Sequence, residues 1–103
     1  MKKIINGKKY DTDTADCLAS YEMGGVACND IHYVAERLYR KKTGEFFLFG
    51  EGGAFSVYGS PAVGGGYVAG EAILPLSTAE AKVWAEAHMG ADAYEAAFGP
   101  VEE

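Results

Sequence analysis

Leu38-Tyr39-Arg40-Lys41-Lys42-Thr43-Gly44-Glu45-Phe46-Phe47-Leu48-Phe49 is two β-prone runs joined by a basic turn. Aromatic and aliphatic residues fill both arms, and Gly44 supplies the left-handed backbone that a short hairpin loop demands. In the second arm, alternation sends Phe47 and Phe49 to one face and Phe46 and Leu48 to the other. A strand that is apolar on both sides must be covered on both, so this one is central in its sheet or roofed by helices.

Upstream, Ile4-Ile5-Asn6-Gly7-Lys8-Lys9-Tyr10 carries an Asn-Gly pair suited to a type I′ turn, which predicts an N-terminal hairpin. Between the two hairpins, residues 11–23 hold Asp11, Thr12, Asp13 and Thr14 as cap donors, with Leu18 and Tyr21 spaced for one buried face. That pattern predicts a short helix ended by Gly24-Gly25.

Downstream, eight glycines fall between positions 50 and 70. Gly50-Glu51-Gly52-Gly53 is expected to make a tight turn or bulge, and Ala54–Tyr58 a short strand. A flexible Gly-rich loop is expected around residues 59–66, and a strand over Glu71–Pro75 that ends at the proline.

Ser77-Thr78-Ala79-Glu80 is a capping-box pattern. It opens a helix whose Ala81, Trp84, Ala85 and His88 share the buried side, with Lys82 and Glu86 outward as an ion pair. Gly90 closes it, Asp92 caps a second helix over 93–98, and Gly99-Pro100 stops that one. The expected fold class is α+β: an antiparallel sheet built from hairpins, with two or three short helices packed on one face. At 103 residues, 49% hydrophobic, the chain is expected to form a single compact domain spanning 1–103, large enough for one core without metal or disulfide staples.

Nine basic residues face fifteen acidic ones, for a net charge of −6. The imbalance is local: residues 1–50 sum to +1 and residues 51–103 to −7. Binding a phosphate backbone draws on Lys and Arg, so direct nucleic-acid contact is not expected, although Arg37–Lys42 forms a basic, aromatic strip. The acidic surplus suits solubility, and equally an acidic face for a basic partner.

Tests for chemistry are negative. Asp11, Asp13 and Glu22 mimic the ends of a calcium loop, but Ala15 and Asp16 stand where an oxygen ligand and a glycine belong. Cys17, Cys28, His32 and His88 lack the close cysteine pair of a zinc site. Glu51 inside the 50–53 glycine run repels phosphate, and no nucleophile elbow is present. No catalytic residue, metal or cofactor is expected, and the chain is not expected to be an enzyme. With two cysteines, no apolar run of membrane-spanning length and no signal-peptide core after Met1-Lys2-Lys3, it is expected in the cytoplasm with reduced thiols and no membrane contact.

Lys9-Tyr10-Asp11-Thr12-Asp13-Thr14-Ala15, Leu38–Leu48 with Gly50-Glu51-Gly52-Gly53, and Pro75-Leu76-Ser77 with Glu80-Ala81 and Trp84-Ala85-Glu86 together resemble a group of small acidic proteins carried by bacterial phages and other mobile elements. Such proteins resemble inhibitors of host defence, anti-CRISPR proteins among them. The resemblance implies an anti-CRISPR-like inhibitor in the host bacterial cytoplasm that binds a CRISPR effector complex through an acidic surface and blocks target DNA binding or cleavage. On that reading Glu71, Glu80, Glu86, Asp92 and Glu95 form the partner-binding acidic face, and Tyr58 and Tyr67 serve as aromatic anchors. The alternative is a mobile-element accessory domain that binds a protein or its own copy, as a homodimer, through the Phe-rich hairpin.

Overall fold

The computed structural model describes residues 1–23 and 30–103. The N-terminal hairpin pairs β1 (Lys2–Ile5) with β2 (Lys8–Asp11), and Asn6 and Gly7 take φ of 51° and 77°, both positive as a type I′ turn requires. The main sheet is fully antiparallel. It contains β3 (Asp16–Glu22), β4 (Val34–Arg40), β5 (Phe46–Gly52) and β8 (Gly70–Leu76), in the order β3-β4-β5-β8. A short ribbon, β6 (Ser60–Pro61) with β7 (Tyr67–Val68), stands between β5 and β8 in sequence. Helices α1 (Thr78–His88) and α2 (Ala91–Phe98) follow. The α+β class expected from the hairpins is the class observed.

β5 is central, as its two apolar faces demand. On one face Leu38, Phe46 and Leu48 pack under Ala81 and Ala85 of α1, with Phe98 of α2 ring to ring with Phe46 at 5.2 Å. On the other, Phe47 stacks on Tyr39 at 5.1 Å and meets Tyr10 of β2 edge-on at 5.5 Å, above Ile73. Helices thus cover one face, and the N-terminal hairpin covers part of the other. Lys41 lies 3.9 Å above the Tyr10 ring and Lys8 bonds Glu45 at 2.8 Å, tying that hairpin to the β4–β5 turn.

Several local expectations fail for identifiable reasons. Residues 11–23 do not form a helix. Asp11 Oδ1 accepts the Asp13 amide at 2.9 Å and the Asp11 carbonyl accepts the Ala15 amide at 3.2 Å, so the cap-like residues close a turn. Asp16–Glu22 then pairs with β4, with a bulge between Cys17 and Ala19. The Gly24-Gly25 stop and Cys28 lie outside the described residues. Gly50–Gly52 is not a turn: it completes β5, with Gly50 opposite both Glu36 and Ala72. Ala54–Tyr58 is a pair of turns rather than a strand. β8 runs through Pro75 to Leu76, because an edge strand tolerates the missing amide.

The capping box is present in both directions: Glu80 N–H donates to Ser77 Oγ at 3.1 Å and Ser77 N–H to Glu80 Oε1 at 2.8 Å. Gly90, not Asp92, is the N-cap of α2, and Asp92 sits in its first turn. No ion pair joins Lys82 to Glu86 among the described residues. Replacing Phe47, fully buried, by alanine is expected to cost about 3–5 kcal/mol in urea denaturation, whereas Phe55→Ala on the surface is expected to cost about 0.5 kcal/mol or less.

Candidate interaction surfaces

Glu36 on β4 points to the helix face, where the absence of a side chain at Gly50 leaves room beside it. The Tyr58 side chain fills that room: a Cβ on Gly50 would collide with its Cζ, Cε1 and hydroxyl oxygen. Tyr58 donates its hydroxyl hydrogen to Glu36 Oε2, and Trp84 of α1 donates Nε1–H to Oε1 of the same carboxylate at 3.0 Å. A half-buried anion therefore joins β4, α1 and the 53–59 loop through two donors, the arrangement that burial of a carboxylate requires. Tyr58 is only 7% exposed. It was expected to anchor a partner, but its ring and hydroxyl are both used inside the fold.

Locking Tyr58 inward leaves its neighbours outward. Phe55 is 61% and Tyr67 59% exposed, their rings 6.3 Å apart and edge to face. The Phe55 amide donates to the Ile31 carbonyl at 2.8 Å, bringing exposed Ile31 and His32 beside them, and Val57, Val63 and Val68 are exposed as well. Residues 59–66, expected as a flexible loop, supply β6 and the turn of the β6–β7 ribbon, whose second strand carries Tyr67. Tyr67 stands where an anchor can act.

The predicted acidic set divides between two places. Glu71 lies directly opposite Glu51 in the β5–β8 register, and with Asp30 they line an open cleft of about 690 Å³ beside the aromatic flap. Like charges facing across a ladder are unfavourable. None of the three joins an ion pair among the described residues, where the ion pairs are Lys8–Glu45, Lys41–Glu45 and Lys42–Asp16, all at the opposite, turn end of the sheet. Glu86 and Glu95 meet elsewhere, with Glu102, in the lining of a second open groove of about 420 Å³ that Met89, Tyr94 and Val101 also line. Glu80 is held in its capping box, where the Ser77 amide and then its hydroxyl keep the carboxyl below its ordinary range. Asp92 lines neither groove.

Sequence reasoning missed Glu51, whose signal is register, Asp30, which a bend before β4 brings to the cleft, and Glu36, whose signal is the Gly50 gap. Among the described residues no group of three or more His, Cys, Asp or Glu side chains has the geometry to hold a metal ion, and no helix is long and apolar enough to cross a membrane. In the Phe-rich hairpin offered as a contact for a second copy, Phe46 is a core residue and Phe49 packs, partly buried, against the core on the other face. No family model, curated protein or solved structure matches the chain.

Burial, and then the bond to and charge of Glu36, push the Tyr58 hydroxyl well above the ordinary tyrosine range. A group whose ionisation is raised on folding stabilises the fold below its unfolded value, about pH 10, and that contribution is lost as pH climbs beyond it. Tyr58→Phe is therefore expected to be less stable than the parent at pH 8, with the difference narrowing at pH values above about 10. Urea midpoints across that range measure it, and parallel curves would argue against a buried, carboxylate-bonded hydroxyl.

Proposed function

We propose that the protein works by binding rather than by catalysis, presenting carboxylates to a basic protein surface. The resemblance of its motifs narrows this to stoichiometric inhibition of a CRISPR effector in the bacterial cytoplasm, by occupation of the channel that takes up target DNA. The observation that carries the reading is the meeting of Glu86, Glu95 and Glu102 around one groove that apolar side chains also line. Such a channel is lined by Lys and Arg, and carboxylates on a rigid helical scaffold compete for them through the field that attracts phosphates. Met89, Tyr94 and Val101 add contact area at the centre, where binding energy concentrates. The −7 charge of residues 51–103 supplies long-range attraction that salt screens within about 8–10 Å.

The accessory-domain alternative is favoured by a different observation, the exposed flap around Phe55 and Tyr67, which offers contact area to a protein whatever its charge.

Titrating the protein into a guide-loaded effector is expected to abolish DNA binding or cleavage near equimolar ratio. The charge reversal Glu86→Lys with Glu95→Lys is expected to weaken inhibition about tenfold or more at low salt, and less at high salt. Undiminished DNA binding and cleavage at excess protein, across effectors of the main types, would overturn the inhibitor reading.

A further inference from the structure

β8 is an edge strand, since among the described residues no strand pairs with its outer side. The other edge, β3, carries a bulge between Cys17 and Ala19, a device that discourages pairing with another chain. β8 carries no bulge and its Pro75 lies near its far end, so Gly70–Leu74 presents a regular backbone edge whose one charge is Glu71. Those residues run out of the acidic cleft, whose walls include Ala69, Gly70 and Glu71.

The two faces beside this edge differ in kind. Alternation puts Glu71 and its partner Glu51 on the side of Phe47 and Ile73, covered in part by the N-terminal hairpin. The opposite side belongs to the helices and the 53–59 loop, whose Tyr58 covers Gly50. There Leu74 is exposed on β8 itself, and the Phe55–Tyr67 pair stands at the end of the strand. A segment added alongside β8 would pass Glu71, with Glu51 behind it on β5, on one face, and Leu74 and the apolar flap on the other.

We infer that the β8 edge is a docking site for an extended segment of a partner protein in which basic residues alternate with aliphatic or aromatic ones. Backbone pairing to Gly70–Leu74 supplies affinity. The Glu51–Glu71 pair selects arginine or lysine on one side, and the flap selects the apolar residues on the other. The like-charged pair, unfavourable in the free protein, is relieved when a cation arrives between or beside its carboxylates. The site is independent of the helical groove, so its failure leaves the effector reading standing, and the converse also holds.

The test uses the full chain and a short synthetic peptide alternating arginine with valine and phenylalanine, long enough to run beside Gly70–Leu74. Oligoarginine of equal length and a version with glutamate in place of arginine are the controls. Binding is expected to move the amide resonances of Gly70–Leu74 and of residues near Phe55 and Tyr67, and to slow exchange of β8 amides. Glu51→Gln with Glu71→Gln is expected to weaken it about three- to tenfold. Phe55→Ser with Tyr67→Ser, both on the surface and so compatible with folding, is expected to weaken it about tenfold. Absence of binding, equal binding of oligoarginine, resonance changes confined to α1 and α2, or a peptide-free dimer paired through β8 in sedimentation would each overturn the inference.

Discussion

The Tyr58 ring lying over Gly50 is the contact on which the functional half of the molecule depends. β5 has bulky side chains at Phe46, Phe47, Leu48 and Phe49 and then narrows at Gly50 and Gly52. The first half of the strand builds a two-sided core, and the second half accepts a loop folded back onto the sheet. Glu36 secures the loop, because a half-buried carboxylate that lost Tyr58 and Trp84 would be short of hydrogen-bond donors. Fixing the inward residue fixes the outward ones, so Phe55 and Tyr67 are displayed on an anchored segment.

Charge is distributed along the sheet in the same divided way. Lys8, Lys41 and Lys42 gather at the β4–β5 turn and are paired there with Glu45, which two of them share, and Asp16. Asp30, Glu51 and Glu71 gather at the other end. The surplus of acid noted in the sequence is therefore a surplus at particular places, the cleft beside β8 and the rim between α1 and α2. Each place combines carboxylates with exposed apolar area, which solubility alone does not call for.

Much of the fold was legible because its signals are local. Asn6-Gly7 and Gly44 mark their turns by backbone conformation, Ser77 and Glu80 mark a helix start by mutual hydrogen bonds, and the doubly apolar Phe46–Phe49 run can only be central. The misreadings arise where tertiary pairing outweighs a local preference. Asp11 and Asp13 have the chemistry of a helix cap, yet the strand after them gains a full ladder with β4. The candidate sites were less legible for the same reason. Glu71 was visible as a charge, but its opposition to Glu51 exists only once β5 and β8 are in register. Tyr58 looked like an exposed loop aromatic, and its burial depends on a glycine eight positions earlier and a glutamate on another strand.

The most direct test of this account is amide hydrogen exchange in Gly50→Ala, which places a methyl group where the Tyr58 ring lies. The amides of Gly53, Phe55 and Gly59, bonded to Tyr33, Ile31 and Ser56, are expected to exchange about tenfold faster or more, while those of Leu38 and Phe47 keep their protection. Unchanged protection of the 53–59 loop would contradict the claim that the Gly50–Tyr58 contact holds the flap in place.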